Sequence, residues 1–140
     1  MLRNDIPSAP DSPYLNLPNY QKTSWLNTYL TEHNEVTSEY RSFIGWRSLP
    51  FKGETVNINK NGIRTTIQHP ETTDTSLKAI FLGGSTMWGT GSNDEGTIPS
   101  FFSNIATGKY HAINLGEAGY NAYQSYLFLS YMMMQDLKPD

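Results

Sequence analysis

The sequence predicts an α/β fold built around a parallel sheet, and three observations carry that expectation. An apolar run, Ala79-Ile80-Phe81-Leu82, stops at Gly83-Gly84-Ser85, as a buried strand does when the chain turns at its end. Behind it, Ile98, Phe101, Phe102 and Ile105 fall at i, i+3, i+4 and i+7, one face of a helix, with Thr97 as N-cap and Pro99 in the first turn. A second short run, His111 to Leu115, ends at Gly116 and is followed by an aromatic-rich stretch of helical length, Tyr123 to Leu137. Strand, helix, strand, helix is the order of right-handed βαβ units. Two strands do not complete such a sheet, so residues 78–140 are read as the first two βα units of an incomplete domain, with a third strand expected just after Asp140.

The segments ahead of this core divide in two. Residues 1–22 place Pro7, Pro10, Pro13 and Pro18 among Ser, Asp and Asn and read as an irregular arm with no face to bury. Residues 23–77 read as a leader. In it, the i,i+4 pairs Trp25/Tyr29 and Leu26/Leu30 predict a short helix behind a Thr23 or Ser24 cap. Val56 and Ile58 alternate with Asn57 and Asn59 ahead of Asn61-Gly62, a dipeptide suited to the positive φ of a tight turn, which predicts a small β-hairpin. Residues 68–77 are polar and form a linker into the first core strand. The 123–137 helix is apolar or aromatic nearly all round and is expected to be substantially buried.

Composition narrows the function classes. The 140 residues are 37% hydrophobic and 16% charged, a globular balance with room for one core. A net charge of −3 with ten scattered Lys and Arg makes no basic footprint for nucleic acid. Cysteine is absent, which removes disulfides and thiol chemistry. The amino terminus lacks the apolar core of a signal peptide, and no run approaches the roughly 18 apolar residues of a membrane span. The compartment stays open.

Chemistry points to Ser85. Glycines at 83 and 84 let the backbone turn sharply at a strand end, exposing the serine hydroxyl and leaving its N–H available as an oxyanion donor. The plain alternative is a Gly-Ser turn. Other glycine motifs fail on spacing: no lysine lies between Lys78 and Lys109 to make a P-loop, Asp94 stands where a dinucleotide fingerprint starting at Gly89 needs glycine, and Met87 stands where a nucleophile elbow needs its last glycine. No cofactor is implied. His33, His69 and His111 lack zinc-site spacing, and no metal is expected.

Phe81-Leu-Gly-Gly-Ser-Thr86, then Gly89-Thr-Gly91 with an acidic loop, then Ile113-Asn-Leu-Gly-Glu-Ala-Gly119-Tyr-Asn121, resemble the first two sequence blocks of the SGNH (GDSL-like) hydrolases. Upstream, Gly45-Trp-Arg47, Asn57-Ile-Asn59 and Asn61-Gly-Ile-Arg64 resemble a leader of the same family. The resemblance covers roughly residues 40–140. It implies the start of a flavodoxin-like three-layer parallel sheet, an esterase activity, Ser85 as nucleophile, and the N–H groups of Ser85 and Gly119 as oxyanion donors. It also suggests an acyl-ester substrate, with an acylated carbohydrate as the favoured class. Gly84 replaces the Asp of the commoner Gly-Asp-Ser-Leu form. A third-block string, Gly91-Ser-Asn93-Asp94, is present but lies between the first two blocks and follows no strand, so it is rejected as that block. The Asp-x-x-His that would supply the base is missing, and none of the three histidines is well placed to replace it. By this reading the chain alone has little or no activity.

Trp46 and Arg47 admit two readings, a stacking platform with an adjacent cation or an anchor for the hairpin, the second being the commoner use of such a turn. Methionines 132–134 read as core filler. A rival from another class is a non-catalytic binding or assembly module on the same framework, holding glycan or a protein chain and associating through its incomplete sheet.

Overall fold

The computed structural model describes residues 12–135, so the expectations for residues 1–11 and for Asp136 onward lie outside the described residues. Helix α1 spans Leu26–Glu35, and strands β1 (Ser38–Arg41) and β2 (Gly45–Ser48) form an antiparallel hairpin. Short strands β3 (Phe51–Lys52) and β4 (Asn57–Ile58) pair antiparallel. Strand β5 (Leu77–Phe81), the one-turn helix α2 (Ser85–Trp88), helix α3 (Ile98–Ile105), strand β6 (Tyr110–Asn114) and helix α4 (Ala122–Met134) complete the chain. The fold is mixed α/β with a parallel pair, as expected.

That pair is β5 and β6, in register from Leu77 opposite Tyr110 to Phe81 opposite Asn114. Alternation along the strands sends Phe81 and Tyr110 to the face covered by α3, where Phe102 meets them at 5.1 and 5.5 Å. Ile80 and Ile113 point to the other face, into a cluster with Phe128 and Met132 of α4. Each face of the pair therefore carries one helix.

The leader is built into this sheet rather than standing in front of it. Arg64 bridges antiparallel to Asn114 on one side and to Ile58 on the other, so β4 and β3 continue the sheet beyond the β6 edge that β5 leaves free. The Asn61-Gly62 turn forms as expected: Gly62 sits at φ +75°, and the Asn59 side chain accepts from the N–H groups of Asn61 and Ile63. The described part of the proline arm, residues 12–22, also differs from expectation. Ser12 caps a 3-10 turn at Pro13–Asn16, and Tyr14, Leu15 and Tyr20 pack on the cluster of Leu26, Tyr29, Leu30 and Trp88. The aromatics between the prolines supply the face that proline spacing conceals.

Two helices are oriented otherwise than their apolar patterns predict. Thr97 caps α3 as expected, accepting from the Ser100 N–H at 3.4 Å, but the helix turns its serines inward. Ile98, Phe101 and Ile105 are 44, 64 and 73% exposed, and of the predicted apolar face only Phe102 points to the sheet. Ser100 Oγ donates to Asp94 O at 2.6 Å and accepts from Ile67 N–H, while Ser103 Oγ donates to Gln68 Oε1 and accepts from His69 N–H. Residues 67–69 thus lie along the serine face, and these hydrogen bonds satisfy polar groups that burial would otherwise strand. Helix α4 carries a capping box, Asn121 with Gln124, and buries Ser125, Phe128 and Met132. Burial on all sides is not observed, since Tyr123, Tyr126 and Met134 stand in solvent. No helix among the described residues is long and apolar enough to cross a membrane.

Candidate functional site

Ser85 begins α2 after Leu82, Gly83 and Gly84, the three residues that follow the carboxyl end of β5. Gly83 and Gly84 make the turn, and Gly84 lies against the second predicted block, since a Cβ there would meet Tyr120 O at 3.0 Å. Gly116 approaches closer still: a Cβ would stand 2.4 Å from Trp88 N. The Glu117 N–H donates to Gly83 O at 3.0 Å. The loop after β5 and the loop after β6 therefore interlock, and Ser85 and Gly119 each adjoin one residue of the Gly84–Tyr120 contact.

Both candidate residues are exposed. Among the described residues the Ser85 hydroxyl makes no hydrogen bond, and neither the Ser85 N–H nor the Gly119 N–H has a partner. Gly119 adopts φ +83°, a backbone conformation that by itself favours glycine, and nothing lies within 4 Å of where its Cβ would be. Ser85 and Gly119 do not line one common cleft. Ser85 opens onto a hollow of about 300 Å³ with Thr86, Thr90, Ser92 and Ile98. A second hollow of about 440 Å³, walled by Leu82, Tyr120, Ala122, Tyr126 and Leu129, reaches Gly83 and Gly84 from the α4 side.

None of the histidines bonds to Ser85. His33 sits between Tyr29 and Trp88, 5.4 and 5.5 Å from their rings, and burial, helped by the nearby Arg64 charge, lowers its pKa to about 4. The His69 Nδ1 accepts from Glu71 N–H, and His111 lies in β6 opposite Lys78. Among the described residues no group of three His, Asp or Glu is placed to hold a metal ion.

Sequence reasoning missed two buried ion pairs that hold the loops. Arg47, fully buried, lies 3.0 Å from Glu117, stacks over the Phe128 ring at 3.8 Å and donates to Gly62 O. Glu117 also accepts from Ser48 N–H, Ser48 Oγ and Ala118 N–H. Burial pushes the Glu117 carboxyl above its ordinary range, against the opposing pull of Arg47 and of these hydrogen bonds. Arg47 is thus an anchor and not an exposed cation.

Arg64 forms the second pair, 3.0 Å from Asp94, and donates to the carbonyls of Trp88, Gly89 and Ser92. Asp94 is occupied by Arg64 and Asn57 of the leader, and Asn93 by Gly96 N–H of its own loop. The signal that could have found both pairs is the repeated Gly-x-Arg at Gly45–Arg47 and Gly62–Arg64. A scan of protein-family models and a search of curated proteins find no match to the chain.

Proposed function

We propose that the chain carries the nucleophile half of a serine ester-hydrolase site of the SGNH type, on the start of a flavodoxin-like three-layer sheet. Ser85 attacks the acyl carbonyl of an ester, passing its proton to a base, the N–H groups of Ser85 and Gly119 receive the oxyanion, the ester C–O bond breaks to release the protonated alcohol, and water then hydrolyses the acyl-serine to the free acid. An acylated carbohydrate is the favoured substrate class. The observation that carries the reading is an exposed serine at the carboxyl end of a parallel strand, with free N–H groups on the two interlocked loops.

No described histidine supplies the base, so the test supplies one. The 140-residue chain and its Ser85→Ala variant are incubated with p-nitrophenyl acetate, with and without imidazole, and followed by p-nitrophenol release and intact mass. Little or no cleavage without imidazole is expected and, with it, an acetyl adduct on Ser85 and p-nitrophenol release above that of imidazole alone, both absent from Ser85→Ala. In imidazole, release by the two proteins that is equal above the protein-free rate, or no adduct on Ser85, overturns the assignment.

A second reading, a non-catalytic binding or assembly module, is favoured by the exposed Ile98, Phe101 and Ile105 face of α3, which covers nothing among the described residues. It predicts concentration-dependent association in sedimentation and no Ser85 adduct.

A further inference from the structure

Two hollows border the turn that carries Ser85, and they differ in character. The larger, about 440 Å³, is walled by Leu82, Ala122, Tyr126 and Leu129, with Tyr120 and the two glycines of the turn. Of its two polar side chains, Asn121 accepts from the Gln124 N–H and Ser125 is buried, so the surface on offer is mainly hydrocarbon and tyrosine ring. The smaller, about 300 Å³, is walled by Thr86, Thr90 and Ser92 beside Ile98. None of those three hydroxyls has a hydrogen-bond partner among the described residues, and each is able to donate and to accept.

The divide between the hollows falls on the candidate chemistry. Gly84 lines the apolar hollow and Ser85 the hydroxyl-lined one, so the boundary runs through the peptide that joins them. The N–H of that peptide is the Ser85 N–H, the first candidate oxyanion donor. Gly119, the second, directly precedes Tyr120, which lines the apolar hollow and whose carbonyl abuts Gly84. An ester carbonyl held at these two N–H groups has an arm on each side of the boundary, because the acyl and alkoxy groups diverge from the carbonyl carbon.

Polarity and size then assign the arms. A hydrocarbon chain gains by leaving water for the α4-side hollow, whereas a hydroxylated group placed there would lose its hydrogen bonds to water without replacement. Acetyl brings a single methyl to a space of about 440 Å³ and leaves most of it unfilled. We propose that the Ser85 site takes esters of an aliphatic acyl group longer than acetyl with a hydroxyl-bearing alcohol, the acyl chain lying against Leu82, Tyr126 and Leu129 and the alcohol against Thr86, Thr90 and Ser92. The proposal rests on the hydrolase reading and names its substrate.

Acylation of the full chain is followed by intact mass in imidazole with p-nitrophenyl acetate, butyrate and hexanoate. Imidazole takes the serine proton as Oγ bonds the acyl carbon, and p-nitrophenolate leaves. Corrected for the protein-free reaction, the rate of Ser85 adduct formation is expected to rise about twofold or more per added methylene, against about fourfold for one fully buried. Ala122→Trp fills the hollow from an exposed position, and Tyr126→Ser removes a wall residue that is 63% exposed, so the fold tolerates both. Each lowers the hexanoyl-to-acetyl ratio at least about threefold. For the alcohol arm, hexanoyl-Ser85 freed of reagent is given glycerol or 1-propanol in imidazole; the alcohol oxygen takes the acyl carbon and Oγ recovers a proton. Glycerol is favoured beyond its preference toward N-hexanoylimidazole in solution, and Thr90→Val cuts that excess at least about twofold. Ser85 adducts that form at a rate flat or falling with chain length, or a ratio that both variants leave unchanged, overturn the acyl arm while the hydrolase reading stands. No excess for glycerol overturns the alcohol arm in the same way. Absence of a Ser85 adduct from every ester overturns the hydrolase reading, and this proposal with it.

Discussion

Removing Glu117 should cost more than any surface change, because it strands a guanidinium with nowhere to go. Arg47 is fully buried and Glu117 is 3% exposed. In Glu117→Ala, Arg47 keeps the Gly62 carbonyl and the rings of Phe128 and Tyr120 but no counter-charge, while Ser48 N–H, Ser48 Oγ and Ala118 N–H lose their acceptor. Breaking one side of a buried pair costs about 3–5 kcal/mol. Against a total stability of roughly 5–15 kcal/mol, that is a large share, and for a chain of this size it lowers Tm by roughly 10–20 °C. Arg47→Met alone removes the charge that opposes the upward push of burial on Glu117, so the carboxyl can take up a proton, and the loss should be smaller than for Glu117→Ala. The double variant Arg47→Met/Glu117→Leu leaves no buried charge, so its loss should be well below the sum of the two single losses. Denaturant unfolding followed by far-UV circular dichroism, run as a double-mutant cycle, reads all three. Single variants losing less than about 1 kcal/mol each, and adding without coupling, would refute the view that this pair holds the hairpin to the loop after β6.

Gly116→Ala should be among the most damaging single-methyl additions, because its Cβ would stand 2.4 Å from Trp88 N, a backbone atom that cannot swing aside. A loss of about 2 kcal/mol or more in urea unfolding is expected, together with amide shift changes reaching Ser85; a wild-type midpoint would show that the two loops separate freely. His33 makes stability fall in mild acid. Its folded pKa of about 4 lies below the ordinary histidine value, so the unfolded chain binds the extra proton first as pH drops, and the contribution present above pH 6.5 is lost progressively toward pH 4. Between pH 7 and pH 5 the wild type should lose about 2 kcal/mol more than His33→Phe, measured by guanidinium unfolding at both pH values. Equal losses in the two proteins would place the acid-sensitive group elsewhere.

The parts of the fold that were legible in the sequence are those specified by neighbours in the chain. The runs at Ala79–Leu82 and His111–Leu115, the Thr97 cap and the Asn61-Gly62 turn each depend on a few adjacent residues, and each forms within a residue or two of its expected place. The inward face of α3 was not legible, because it depends on partners far away. Ser100 and Ser103 turn inward because Ile67, Gln68 and His69 offer them hydrogen bonds across more than thirty residues of chain. An apolar moment alone cannot reveal that a polar face is better satisfied than an apolar one. Ser85 and Gly119 were legible as a serine just past a strand end and a glycine turn, but the means of bringing their loops together was not.

That means lies in the leader, and it changes how the leader is understood. Arg47 reaches Glu117 in the loop after β6, and Arg64 reaches Trp88, Gly89, Ser92 and Asp94 in the loop after β5. Each arginine comes from a Gly-x-Arg segment and is buried by the structure it organises. Loops rich in glycine have many accessible conformations, and fixing them costs entropy that their own small side chains cannot return through packing. Buried guanidinium groups supply the missing constraint from outside the loops, Arg64 through hydrogen bonds to Asp94 and three carbonyls, Arg47 through its ion pair with Glu117, one hydrogen bond to Gly62 O and the Phe128 ring. Deleting the leader should therefore cost more than the strands β3 and β4. It should release both loops at once, leaving the parallel pair without the arginine contacts that brace the loop after β5 and the loop after β6.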